Sequence, residues 1–148
     1  MPATVCETTL KAWVRLVRAQ QALLERVEAD LKAADLPPLA WYDVLLELNR
    51  AENGELRQFE LGEKVLLNKY NVSRLLDRLE QEGLVKRHAC KEDRRGAYVG
   101  ITREGRALQK KMWPVYERAV GEYFARHLSE REVVELAELM GRLIPKSA

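Results

Sequence analysis

Cysteine is scarce: the 148 residues hold only Cys6 and Cys90. Two thiols do not make a disulfide framework, so a stapled extracellular scaffold is not expected and a reducing, cytoplasmic location follows as the default. Histidine is as rare, with only His88 and His127, on segments expected to lie apart. A nucleophilic triad needs a base beside its nucleophile, and Ser73 has none in view. Cys6, His88 and Cys90 make a poor metal set, because Cys90 stands beside His88 on one short segment with no supporting outer shell. Glycine-rich phosphate loops, the dinucleotide fingerprint and the nucleophile elbow are all missing. The chain therefore reads as no enzyme, with no catalytic residues, no metal and no cofactor. It also lacks any run long and apolar enough to cross a bilayer. Its start carries Glu7 and Lys11 in place of the apolar core of a secretion signal, so no membrane partner is expected.

What is present is a chain with 47% apolar and 32% charged residues, enough for one core with highly charged surfaces. The net charge of +2 does not by itself announce a polyanion binder. The distribution does. Lys86, Arg87, Lys91, Arg94, Arg95, Arg103, Arg106, Lys110 and Lys111 crowd one stretch, and a local patch is what attracts a polyanion.

Residues 67–83, LNKYNVSRLLDRLEQEG, are the segment around which the rest is organised. Val72, Leu75, Leu76 and Leu79 recur at i, i+3, i+4 and i+7, the apolar stripe of a helix of about four turns. Asn68 suits its N-cap and Gly83 the left-handed residue that ends it. The opposite side carries Tyr70, Ser73, Arg74 and Asp77, flanked by Asn71 and Arg78. These amide, hydroxyl, phenol and guanidinium groups hydrogen-bond to base edges and phosphates. Alone, such a helix is better explained by a solvated polar face.

The flanking segments decide the matter. A long helix is expected over residues 8–35, with Leu10, Trp13, Val14, Val17, Leu24, Val27 and Leu31 at 3–4 spacing. Leu36-Pro37-Pro38 stops it. A second helix covers residues 39–51, Asn53-Gly54 marks a turn, and a short third helix covers residues 57–65. Two helices joined by so short a turn, the second polar on its outer face, make a helix-turn-helix. After Gly83 the period changes to two. Residues 84–89 and 97–101 read as strands around a basic loop, a β-hairpin that forms a wing. Thr102 caps a helix over residues 103–127 that Pro114 should kink. Ser129 and Glu132 form a capping box that starts a last helix, ended by Pro145. The fold class is mainly α with a small β-hairpin, a winged helix-turn-helix. It is one domain, with residues 36–102 as the DNA-binding region and residues 8–35 and 103–145 as dimerisation helices.

Several stretches together resemble the MarR family of bacterial winged helix-turn-helix regulators. They are residues 72–80, VSRLLDRLE, and 83–87, GLVKR. Asp93-Arg94-Arg95 follows, with Val99 completing a D-x-R-x-x-x-[LV] wing pattern, and then residues 101–105, ITREG. Order and spacing agree over nearly the whole chain. Cys90-Lys91 departs from the Asp-Pro that many members carry at the start of the wing tip. The resemblance implies a homodimer joined by its terminal helices. It implies recognition helices in successive major grooves of a pseudo-palindrome in double-stranded DNA, wings in the flanking minor grooves, and a repressor relieved by a small effector or an oxidant.

The expected DNA-facing set is Asn68, Lys69, Tyr70, Asn71, Ser73, Arg74 and Arg78, with Arg94 and Arg95 in the wing. Asn71 suits adenine and Arg74 guanine, while Lys69 and Ser73 suit phosphates. Asp93 is expected to pair with Arg95 by the family's D-x-R spacing and stiffen the wing, leaving Arg94 for the minor groove. For an aromatic-acid effector, Trp13, Trp41 and Tyr42 are candidate walls and Arg15 or Arg18 the carboxylate partner; core packing of both tryptophans is the alternative. Redox sensing through Cys6 or Cys90 is a further alternative, although no environment that lowers a thiol pKa is visible around Cys6. The last is a winged-helix module that docks protein, for which a guanidinium cluster beside a polar helix face has no use.

Overall fold

The computed structural model describes residues 4–66, 71–89 and 97–145. Six helices and three strands follow one another as α1 (Glu7–Ala33), α2 (Leu39–Arg50), β1 (Glu55–Arg57), α3 (Gln58–Lys64), α4 (Val72–Gln81), β2 (Val85–Ala89), β3 (Ala97–Ile101), α5 (Arg103–Tyr123) and α6 (Glu130–Leu143). This is the expected mainly helical winged fold. The chain divides into two compact units, residues 31–115 and residues 1–30 with 116–148. Helices α1 and α5 each contribute to both.

The central unit is built on α2, α3, α4 and the sheet. Val44, Leu45 and Leu48 of α2 meet Leu61 and Val65 around α3, Val72, Leu76 and Leu79 of α4, and Leu84, Val85 and Val99 around the sheet, all of them buried. Burial of a large aliphatic side chain stabilises by about 1.5–3 kcal/mol, so this cluster fixes how the helix-turn-helix sits on its sheet. The start of the turn after α3 is held from α2, where the buried Asp43 carboxylate accepts the Leu66 N–H.

The wing is larger than the expected hairpin. Its sheet has three antiparallel strands in the order β1-β3-β2. Strand β1 pairs Leu56 with Val99 and Arg57 with Tyr98, and β2 pairs Arg87 with Val99 and His88 with Tyr98. A strand of three residues with a charge at each end has no period to read, so residues 55–57 were not expected to be extended. The third helix accordingly starts at Gln58 and not at Arg57.

Two helix ends also differ from expectation. Helix α1 stops before Pro37-Pro38 takes effect: Asp35 is left-handed, with φ 57°, and Leu36 N–H reaches the Leu31 carbonyl at 2.9 Å. That backbone closure ends the helix before the prolines, at a non-glycine residue. Helix α5 runs unbroken through Pro114 but ends at Tyr123, and residues 125–127 form a separate tight turn.

In the other unit, Tyr123 donates its hydroxyl to Asp30 at 2.9 Å, while the Arg26 guanidinium lies 5.4 Å from the centre of its ring. The hydrogen bond to Asp30 raises the Tyr123 pKa, because it holds the phenol in its protonated form, and the carboxylate charge adds to the effect. Helix α6 starts at the capping box read from the sequence: Glu132 N–H donates to the Ser129 hydroxyl at 3.1 Å, and Ser129 N–H to the Glu132 carboxylate at 2.8 Å. Yet α6 buries no residue, and Leu10, Trp13, Val14, Val134, Leu139, Leu143 and Ile144 are all exposed on this single chain.

Candidate nucleic-acid interface

Helix α4 owes its orientation to the stripe Val72, Leu76 and Leu79, which is buried, with Leu75 half-buried beside it. Everything on the far side is thereby turned outward: Ser73, Arg74, Asp77 and Arg78 are exposed, and Asn71 is exposed at the N-cap. Among the described residues, α4 begins at Val72; Asn68, expected to cap it, lies outside them, as do Lys69 and Tyr70. The helix ends as its sequence indicates. Gly83 has φ 75°, Gly83 N–H donates to the Glu80 carbonyl at 3.0 Å, and Leu84 N–H to that of Leu79 at 2.9 Å. This closure leads directly into β2 and ties the end of the helix to the start of the wing.

Of the DNA-facing set, the structure therefore brings Asn71, Ser73, Arg74 and Arg78 to one exposed face. The wing residues Asp93, Arg94 and Arg95, with the Asp93–Arg95 pair, lie outside the described residues, and so does Cys90. The Arg74 and Arg78 side chains make no hydrogen bond or ion pair with another described residue, so their guanidinium groups are not committed elsewhere in that part of the chain.

Two acidic residues on α4 are committed. The Arg87 backbone N–H donates to Glu80 Oε2 at 2.9 Å, and its Nε and Nη2 donate to Glu80 Oε1 at 3.2 and 3.0 Å. The same Nη2 donates to Asp77 Oδ1. These bonds hold the Glu80 carboxyl below the usual carboxylate range, the backbone N–H contributing most, and push Arg87 further up, chiefly through Asp77. Arg87, one of the basic crowd expected to attract a polyanion, is an internal partner instead. The available signal was strand parity: residue 87 shares the inward face of β2 with the buried Val85.

The outer face of the sheet carries a cross-strand row that sequence reading missed. Tyr98 stacks on His88 with ring centres 5.5 Å apart, and Arg57 lies 5.7 Å from the Tyr98 ring on its other flank. His88 Nε2 is 3.8 Å from the Glu55 carboxylate. Among the described residues no three metal-binding side chains converge.

The proposed effector residues are distributed over both units. Trp13, Arg15 and Arg18 are exposed on the first part of α1, which removes core packing as the explanation of Trp13. Trp41 packs against the central core, as the alternative held for it. Tyr42 is buried, stacks on Trp113 with ring centres 6.3 Å apart and receives the Gln109 amide at 3.4 Å. An open groove of about 530 Å³ at the foot of the wing involves none of the five; Glu55, Lys86, His88, Gly100 and Arg103 are among its walls.

Residues 34–96 match the MarR family. An HTH-type transcriptional regulator of Bacillus cereus is 33% identical over 131 residues, covering 88% of this chain and 85% of its own. The chain belongs to the MarR family of transcriptional regulators. The fold agrees with two solved MarR-family regulators of Streptomyces coelicolor. AbsC matches with a TM-score of 0.84 at 25% identity, covering 95% of each chain. Sco3205, solved in complex with DNA, matches with a TM-score of 0.88 at 24% identity over 97% of this chain and 89% of its own. Membership makes this chain a DNA-binding regulator and not an enzyme.

Proposed function

We propose that this MarR-family regulator acts as a homodimeric repressor on a pseudo-palindromic operator and is released by a small aromatic acid. The observation that carries the reading is α4, whose buried stripe turns Asn71, Ser73, Arg74 and Arg78 outward together. In this arrangement Asn71 and Arg74 read base edges, Ser73 and Arg78 contact the backbone, and Asn68, Lys69 and Tyr70 extend the same surface. Arg94 and Arg95 serve the flanking minor grooves, with Asp93 structuring the wing.

The dimer is supported by the apolar residues left uncovered on α1 and α6, Leu10, Trp13, Val14, Val134, Leu139 and Leu143. A patch of that kind on a single chain marks an interface, and a two-fold axis gives a palindromic operator. The effector reading rests on Trp13, with Arg15 or Arg18 for a carboxylate, all exposed on α1; Trp41 and Tyr42, packed within the central unit, take no part in it.

The test is a footprint on the DNA flanking the protein's own gene, with and without a panel of aromatic acids. Two protected half-sites one or two helical turns apart are expected, with protection lost on adding an acid of the panel. Sedimentation at micromolar concentration should return about twice the 17.1 kDa of one chain. A persistent monomer, or protection that shows no repeat, overturns the palindromic dimer.

A further inference from the structure

Asp77 presents a difficulty on a DNA-reading surface. It stands on the exposed face of α4, three residues after Arg74 and four after Ser73, the two separations that make side chains neighbours on a helix. An unrestrained carboxylate there has two effects, both adverse. It repels phosphate, and it competes with the nucleic acid for the Arg74 guanidinium. The structure shows where that carboxylate is held: Arg87 Nη2 engages Asp77 Oδ1 while the rest of the same guanidinium, and the Arg87 backbone N–H, are fixed on Glu80. Arg87 is thus anchored by one carboxylate and restrains the other.

We infer that Arg87 is a positioning residue for sequence recognition: held on Glu80 from strand β2, it draws Asp77 away from Arg74 and so keeps the Arg74 guanidinium free for a base. The inference rests on the reading of α4 as the recognition helix. It assigns Arg87 no contact with DNA. A planar fork with five donors is suited to hold two carboxylates at once, whereas an ammonium satisfies the same geometry poorly. The anchor also spans two elements. Glu80 lies on α4 and Arg87 on β2, so the bonds that restrain Asp77 also set the register of helix against wing.

The two roles open to Arg87 give opposite results in a double-mutant cycle. If Arg87 contacts phosphate, its loss removes one cation from the interface, the salt slope falls by about one per half-site, and Asp77 has no special bearing on the outcome. If it restrains Asp77, its loss releases a carboxylate next to Arg74, and removing that carboxylate repairs the damage.

The probe is the duplex that the wild-type chain enriches from a pool of random 30-bp duplexes, measured by fluorescence anisotropy against a shuffled duplex of the same composition. Arg87→Met should lower the preference for the enriched duplex by roughly tenfold, the size of a strong coupling between neighbouring residues. Asp77→Asn in the wild-type background should change the preference less than about threefold, and in the Arg87→Met background it should restore it to within about threefold of wild type. Arg87→Lys, which keeps the charge, carries the same test if Arg87→Met fails to fold: its loss of preference should likewise be repaired by Asp77→Asn. A double variant no better than the single one overturns the inference, as does a lower salt slope in Arg87→Met. A wild-type chain that enriches no duplex overturns the DNA-binding reading together with this one, whereas enrichment without rescue overturns this one alone.

Discussion

The Thr102 hydroxyl donates to the Gly83 carbonyl at 2.7 Å, joining the first residue before α5 to the closure that follows α4. The same oxygen accepts the Gly105 N–H at 3.0 Å, as an N-cap does, and the Thr102 N–H donates to the Leu84 carbonyl at 3.0 Å. One side chain thus caps α5 and ties it to the point where α4 turns into the wing. Thr102→Val keeps the shape and loses both hydroxyl bonds. It should lower stability by about 1–2 kcal/mol, the range of a lost cap, read as a lower midpoint in urea with an unchanged slope. A variant as stable as wild type would show that the Gly83 carbonyl and the helix end are equally well served by water.

Two glycines flank this joint and should fail for different reasons. A Cβ on Gly83 meets nothing within 4 Å, but the residue has φ +75°. A Cβ on Gly105 would press into the Leu84 carbonyl and the Ile101 side chain. Gly83→Ala should therefore cost about 1–2 kcal/mol from backbone strain, and Gly83→Asn less, since asparagine tolerates the left-handed region. Gly105→Ala should cost about 3 kcal/mol or more from overpacking, with no relief from asparagine. Thermal denaturation of the four variants separates the two mechanisms. Equal losses for both alanines, both relieved by asparagine, would place the constraint at Gly105 in its backbone.

How far the chain could be read beforehand depended on whether the signal was local. The stripe on α4, the Gly83 terminus, the Thr102 and Ser129 caps and strand β3 all follow from residues within one or two turns of each other. Strand β1 does not: it is extended because Val99 lies across from Leu56, more than forty residues later. Arg87 looks like one cation among nine; strand parity with Val85 turns it inward, but only the structure shows that Asp77 and Glu80 are its partners. Tyr42 stands beside Trp41 in the sequence as an aromatic wall would, yet its partners, Trp113 and Gln109, come from α5. Gln109 is itself buried, and it also accepts the Asn49 amide at 3.4 Å. No periodicity announces a buried amide on a helix whose neighbours at 110 and 111 are lysines.

Arg74 is the residue on which specific binding is expected to turn. It is exposed opposite a buried stripe, so its removal leaves the core intact. Arg74→Ala should keep the melting temperature of the wild type and lose about 1–3 kcal/mol of discrimination per half-site, the worth of one bidentate contact to a base. Affinity for unrelated duplex should fall much less. Retention of wild-type specificity would mean that α4 meets DNA with a different side.

Cys6 corrects an expectation. Its surroundings in the sequence show nothing that would ease loss of the thiol proton, but the structure places its Sγ 3.1 Å from the Thr9 hydroxyl, at the start of α1. That hydrogen bond is the main reason its pKa is lowered from the usual thiol value, with backbone N–H groups of the first turn adding to it. A lowered pKa means more thiolate at a given pH below the titration, and Cys6 is exposed. Alkylation of Cys6 by iodoacetamide, followed by mass spectrometry against pH, should therefore reach half its limiting rate below the pH required by a thiol in an unstructured peptide. Thr9→Val removes the largest contribution and should move that midpoint upward, while Thr9→Ser, which keeps the hydroxyl, should not. Cys90→Ser in the same background keeps the second thiol from contributing. A midpoint unmoved by Thr9→Val would show that the hydroxyl donates elsewhere in solution and that the first turn of α1 alone sets the acidity of this thiol.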